Sequence, residues 1–221
     1  MIKGVILDLD GTLIDSMGMW YDIDRKFLAE NGVNKLPDGI SWKIKQMTIE
    51  TAAQYMISEF CLNLTPDQVI KRIEDMVREE YELYLPLKRG ATNLLDFLDR
   101  KHVSYGVATA TYKGLAVSAL KRCGILDRMA FLLTDQEYPN GKGFPDIFLG
   151  AANRLGITPP ETLVVEDSLH SIETATNAGF ITAAVYEETS SSEWDEIKSV
   201  ASYSFLEIND VCSLFEGKEY E

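Results

Sequence analysis

Residues 4–16 read GVILDLDGTLIDS, an apolar run that ends abruptly in carboxylates. Val5, Ile6 and Leu7 have the character of a strand buried on both faces, the kind found in parallel sheets. Asp8 and Asp10 follow two residues apart, and Gly11 and Thr12 come next. Two like charges at the mouth of an apolar element are costly unless something pairs with them. The remainder of the chain has to supply that partner.

Working outward from this strand, residues 16–85 carry helical patterning with no strand signal. WYDIDRKFLAENGV (20–33) closes on a Gly suited to a helix C-terminus. ISWKIKQMTIETAAQYMISEF (40–60) reads as one helical run. TPDQVIKRIEDMVREEYELYL (65–85) opens with Thr65 as N-cap and Pro66 in the first helical position. After Gly90 the pattern alternates. Helix-like ATNLLDFLDRK (91–101), YKGLAVSALKRCGI (112–125), PDIFLGAANRLGI (145–157) and SIETATNAGF (171–180) interleave with strand-like VSYGVATA (103–110), FLLTD (131–135), TLVVED (162–167) and ITAAVY (181–186). A further helix starts at Ser192. Strict alternation predicts an α/β fold with a doubly wound parallel sheet. The first strand must join that sheet, so the helical block is an insertion behind it. The expected division is an α/β core of residues 1–15 and 87–221 and a helical domain of residues 16–86.

The composition narrows the partners. The chain has 221 residues, 46% of them hydrophobic, with 21 Lys+Arg against 35 Asp+Glu and a net charge of −14. A field of that sign repels nucleic acid and anionic membranes, so neither is an expected partner. An anionic substrate would need a local cation. No window approaches the ~18 apolar residues of a membrane span, and MIKGVILDLDG enters a strand directly where a signal peptide would carry its apolar segment. Cys61, Cys123 and Cys212 are odd in number and lack metal-type spacing, which suits thiols in a reducing cytoplasm. The acidic end, EGKEYE (216–221), reads as a solvated tail.

Open parallel sheets bind ligands beyond the carboxyl ends of their strands. The first strand presents Asp8 and Asp10 there. VSYGVATA presents Thr109, then Ala110 and Thr111. TLVVED presents Glu166 and Asp167, with Ser168 next. Lys142 is read as opening the helical segment GKGFPDIF. The sum is two carboxylate pairs, a hydroxyl and an ammonium, brought from distant sequence to one rim.

DLDGTLIDS, the Thr that follows VA, Lys142 ahead of PDIF, and VVEDS, in that order, resemble the four motifs of the haloacid dehalogenase-like (HAD) phosphohydrolases. The helical insertion resembles the family's C1 cap, as in β-phosphoglucomutase-like and phosphoglycolate phosphatase-like members. The resemblance implies a Rossmann-like HAD core with an α-helical cap domain inserted after the first strand. It implies a phosphatase acting on a small phosphate monoester, a sugar phosphate among the candidates, and a small phosphorylated metabolite as its partner. Asp8 matches the nucleophile that forms an aspartyl-phosphate. Asp10 matches the general acid and base. Thr109 and the Ala110 amide match the phosphate grip, and Lys142 the lysine that pairs with nucleophile and phosphoryl group. Mg²⁺ is the implied cofactor, held by Asp8, the main-chain carbonyl of Asp10, Asp167, and Glu166 directly or through water. That cation would be the missing partner of the opening acids.

A phosphomutase of the same fold would share every one of these residues. Two departures count against it: Trp20 stands where a β-phosphoglucomutase-like sequence typically has His, and DGT replaces DGV. A dehalogenase is disfavoured by the presence of Asp10. A receiver domain is excluded by the order of its acids and by the helical insertion. In the cap, Met19 and Trp20 are candidates for an apolar wall beside the leaving group, or for packing within their helix. Lys43 and Lys45 lie near the family's specificity segment, where a second anionic group would bind, unless they are plain solvated lysines. Arg89-Gly90 replaces a common Pro-Gly, and Gly143 stands after Lys142 where Pro is usual. His102 and His170 fall outside the motifs.

Overall fold

The computed structural model describes residues 1–37, 39–45 and 47–216, apart from the side chains of Trp42 and Lys45. Most of the predicted acidic tail, from residue 217 onward, lies outside the described residues. The chain falls into two compact units, Met1–Ser16 with Leu85–Glu221, and Met17–Tyr84.

The first unit is built on six strands: β1 (Gly4–Leu7), β2 (Ser104–Thr109), β3 (Leu132–Thr134), β4 (Thr162–Glu166), β5 (Ile181–Val185) and β6 (Tyr203–Phe205). All pairings are parallel, in the order β3-β2-β1-β4-β5-β6. Among the described residues the α-helices are α1 (Met17–Glu30), α2 (Ile40–Lys45), α3 (Ile49–Glu59), α4 (Pro66–Glu79), α5 (Ala91–Arg100), α6 (Lys113–Arg122), α7 (Asp146–Leu155), α8 (Leu169–Asn177) and α9 (Trp194–Val200). Parallel strands need crossovers, and α5 to α9 supply helices between successive strands. β1 is buried along its whole length, which is why Val5, Ile6 and Leu7 show no polar alternation. Each such side chain contributes roughly 1.5–3 kcal/mol of burial. α7 lies against β1, β2 and β3, and α8 against β4 and β5. Between them Ile6, Ala108, Val164, Ile147, Phe148 and Phe180 form the sheet's core. Strand order reverses beside β1, so the β1–β4 crevice is the topological switch point.

The second unit is helical, containing α1 to α4 followed by a π-helical turn at Glu80–Tyr84. α1 ends as its Gly implies. Gly32 takes φ +83°, and the Val33 amide returns to the Leu28 carbonyl at 2.9 Å. α4 opens with a full capping box, in which Thr65 accepts from the Gln68 amide and Gln68 from the Thr65 amide.

Four local readings need correction. The run 40–60 is not one helix: the Thr48 hydroxyl accepts from the Thr51 amide at 3.3 Å and starts α3 afresh. Lys142 does not open a helix; it sits in a 3₁₀ turn, Gly141–Gly143, and α7 begins only at Asp146. The helix placed from Ser192 starts at Trp194, after the 3₁₀ segment Glu188–Glu193. The edge strand β6 had no sequence signal of its own. Among the described residues no helix is long and apolar enough to cross a membrane, and the three cysteines are free thiols.

Candidate active site

Sheet register assembles the centre. Leu7 pairs with Val165, so Asp8 and Glu166 leave β1 and β4 side by side. The Asp8 amide continues the ladder one step further, donating to the Val165 carbonyl at 3.0 Å. Asp8, Glu166 and Asp167 are all buried, and each brings a carboxylate oxygen within 4.8 Å of the others. Lys142, buried too, donates to Asp8 Oδ1 and to Glu166 Oε1. The second Glu166 oxygen accepts from the Asp167 amide at 3.0 Å, the Ser168 amide at 3.2 Å and the Ser168 hydroxyl at 3.1 Å. Glu166 is thereby fixed on both oxygens. Thr12 reaches across from the β1 loop, its hydroxyl donating to Asp167 Oδ1 at 3.4 Å.

The charges record the crowding. Burial pushes the Asp8 carboxyl up to about 7; Lys142 opposes the rise, and the Glu166 and Asp10 charges add to it. Burial, then the Glu166 and Asp8 charges, raise Asp167 well above the ordinary carboxylate range. Burial works against the ionised form of Glu166 as well, but the Lys142 ammonium outweighs it and holds its pKa low. For Lys142, burial disfavours the charge, yet Asp8 and Glu166 together raise its pKa above that of an ordinary lysine. When all three carboxylates ionise, the one ammonium leaves an excess of two negative charges in a buried place. That excess, on hard oxygen donors converging from two strands, fits a divalent cation.

Asp10 stands apart from this cluster. Its carboxylate accepts from the Ser16 hydroxyl at 2.6 Å and, on the other oxygen, from the Thr111 hydroxyl. Gly11, at φ +84°, lets the chain turn here as an L-residue with a Cβ would not. Thr109 is buried at the end of β2 and accepts from the Thr111 amide at 3.0 Å, while Ala110 is exposed on the rim beside it. Thr111 and Ser168 stand on the rim where the sequence places them, but the contacts that they, Ser16 and Thr12 make are not legible in it. Hydroxyl residues near a motif are common, and only the folded loops pick them out.

The remaining candidates lie elsewhere. Met19 is buried, and the Trp20 indole donates to the Tyr81 hydroxyl of the helical unit at 3.1 Å. The Lys43 ammonium sits 4.3 Å from the centre of the Tyr55 ring. The Lys45 side chain lies outside the described residues. Arg89 is exposed and pairs with Glu207 at 3.7 Å. His170 is exposed and contacts the Ser171 hydroxyl at 3.2 Å, and His102 occupies a left-handed position, φ +55°, at the end of α5.

Residues 5–185 match the sequence profile described as haloacid dehalogenase-like hydrolase. A phosphorylated carbohydrates phosphatase of Thermotoga maritima is 23% identical, covering 80% of this chain and 82% of that protein. The N-acetylmuramic acid 6-phosphate phosphatase of Pseudomonas putida is 27% identical, covering 83% and 82%. Among solved structures, a Thermotoga maritima protein described as a candidate β-phosphoglucomutase superposes with a TM-score of 0.83 at 22% identity, over 97% of this chain and 98% of that one.

Proposed function

The chain belongs to the haloacid dehalogenase-like hydrolases, and from that premise we propose that it is a Mg²⁺-dependent phosphatase of small phosphate monoesters, sugar phosphates first among them. The observation that carries this reading is the buried Asp8–Lys142–Glu166 bridge with Asp167 beside it, at the switch point of the sheet. Phosphoryl transfer asks a protein for an in-line nucleophile, for neutralisation of the phosphoryl oxygens and for a proton on the leaving oxygen. Asp8 supplies the first. Its carboxylate oxygen bonds to phosphorus as the bond to the ester oxygen breaks, giving an aspartyl-phosphate. Asp10 delivers a proton to the departing alkoxide, then takes one from the water that attacks phosphorus and releases inorganic phosphate and free Asp8. The hydroxyls of Ser16 and Thr111 hold the Asp10 carboxylate in orientation for both tasks.

Lys142, Thr109 and the Ala110 amide grip the phosphoryl oxygens. Asp8, Asp167 and the Asp10 main-chain carbonyl would hold the metal, with Glu166 fixing Lys142 against the nucleophile. The bound cation supplies charge neutralisation that a protein of net charge −14 lacks. The names of the relatives support carbohydrate phosphates as the substrate class. The helical unit acts as the cap that excludes water, as lids do in other enzymes. A reducing, cytoplasmic setting accords with three free thiols.

The test is phosphate release from a panel of phosphorylated sugars and sugar acids, with Mg²⁺ and with EDTA. Metal-dependent release supports the reading. A mutase would show itself by moving phosphate between hydroxyls of the substrate with little release. Turnover indifferent to EDTA would remove the metal from the proposal.

A further inference from the structure

Lys88 takes no part in the chemistry assigned above, yet its surroundings are not those of a surface lysine. Its side chain is 17% exposed and that of its partner Glu187 is 8% exposed. The ammonium donates to the Glu187 carboxylate, to the Tyr186 carbonyl at 3.2 Å, and to the Gly11 carbonyl. The first two acceptors follow directly after β5. An ion pair with Glu187 alone would say little, since burying both charges consumes much of what the pair returns. The third acceptor decides the matter. Gly11 is the residue after Asp10 and the one before Thr12, whose hydroxyl reaches Asp167.

The same loop is held from within by short hydrogen bonds. The Gly11 amide donates to the Ile14 carbonyl at 2.9 Å, and the Leu13 and Ile14 amides donate to the Leu9 carbonyl at 2.9 and 2.8 Å. Lys88 adds a main-chain bond of 2.8 Å to the Leu13 carbonyl. One residue therefore grips the loop by backbone and side chain together, and ties it to the far side of β4. Asp8 needs no such help, because the sheet ladder fixes its backbone through Val165.

We propose that Lys88 is a positioning residue: by binding the Gly11 carbonyl to the end of β5 it holds the 10–12 loop so that the Asp10 carboxylate faces the transferring group. The inference rests on the reading of Asp10 as acid and base. It separates the two parts of the centre. Loss of Lys88 leaves the nucleophile and Lys142 in place, held by the sheet ladder and by Glu166, and lets the loop that carries the Asp10 carboxylate, its main-chain carbonyl and Thr12 shift. A misplacement of about 1 Å in such a group is enough for a large loss of rate.

The experiment compares full-length Lys88→Met and Glu187→Gln with the parent at saturating Mg²⁺, using the sugar phosphate that the parent hydrolyses fastest, whose alkoxide leaving group needs a proton as nitrophenolate does not. Lys88→Met lowers kcat at least tenfold and leaves KM within twofold. Its amide exchange over residues 9–14 quickens at least tenfold, while exchange in β1 and β4 stays as in the parent. Glu187→Gln removes the charge but keeps the Gly11 contact, so its Tm falls as far while kcat falls less than threefold. Should Lys88→Met fail to fold, Lys88→Met/Glu187→Met removes the stranded carboxylate and carries the same expected loss of kcat. The proposal is overturned if kcat of Lys88→Met stays within threefold of the parent, if the loss lies in KM, or if kcat merely tracks Tm across both variants. A parent protein that hydrolyses no phosphate ester defeats the phosphatase reading instead; the exchange measurement then decides by itself whether Lys88 holds the loop, and uniform quickening across the sheet refutes it.

Discussion

Replacing Asp8 by Asn keeps the shape of the side chain and removes the oxygen proposed to attack phosphorus together with the charge that Lys142 holds. Asp8→Asn should therefore lower turnover of an aryl phosphate by roughly 10⁴-fold or more while circular dichroism stays that of the parent; retained hydrolysis would show that another group attacks. The same residue gives a pH signature. Asp8 is raised to about 7 and Asp167 is raised as well, both chiefly by burial. A carboxyl with a raised pKa binds more protons folded than unfolded between its ordinary and its raised value, so stability falls as pH rises through that window. In EDTA, Tm should increase as pH is lowered from 7.5 to 5.5. Mg²⁺ should flatten the slope by favouring the ionised acids, and Asp8→Asn should reduce it. A metal-free protein with Tm rising from pH 5.5 to 7.5 would contradict the crowding of these carboxylates. At this scale the sequence discloses position better than partnership. Asp8 and Glu166 are legible because apolar strands end at them. The hydroxyls on Asp10 and the Lys88 contact with Gly11 are not, because nothing in residue type separates them from solvated neighbours.

Elements announce themselves in proportion to their length and to the strength of their boundary chemistry. β1, β2, β4 and β5 show as apolar runs because both faces of a parallel sheet are covered, and α4 shows through Thr65 and Pro66. β6, only Tyr203–Phe205 at the sheet edge, buries too little to leave a pattern. The break between α2 and α3 was hidden for a different reason: helical periodicity persists across it, and a single Thr48 hydroxyl restarts the helix. The turn at Lys142 belongs with these. Its glycines mark a turn, but the burial of a lysine there becomes evident only once Asp8 and Glu166 are alongside. Capping is open to measurement in α4. Thr65 and Gln68 satisfy each other's amides, so Thr65→Ala should cost about 1 kcal/mol in urea unfolding, and Thr65→Ser should recover most of it. An unchanged midpoint would mean that packing of the apolar face of α4 holds the helix without its cap.

For the whole molecule, net charge and local charge point in opposite directions. The sequence carries 35 acidic against 21 basic residues, and a phosphate monoester approaching it is itself a dianion near neutral pH. At the centre, three ionised carboxylates, one ammonium and the divalent cation they would hold sum to about zero, so a site loaded with its metal would offer little long-range pull. The field that a distant substrate meets is then that of the protein as a whole, and it is repulsive. Salt weakens such a field, because the Debye length contracts from roughly 20 Å at 20 mM to under about 10 Å at 200 mM ionic strength. Raising NaCl over that range at fixed saturating Mg²⁺ should therefore increase kcat/KM for a sugar phosphate, by about twofold to fivefold, with kcat nearly constant. An uncharged change of viscosity at constant salt serves as the control, since it alters diffusion without touching the field. A decrease in kcat/KM with salt would require a cationic surface strong enough to reverse the sign of the total, and the substrate-binding side of the enzyme would then have to be sought among its lysines and arginines instead of at the metal.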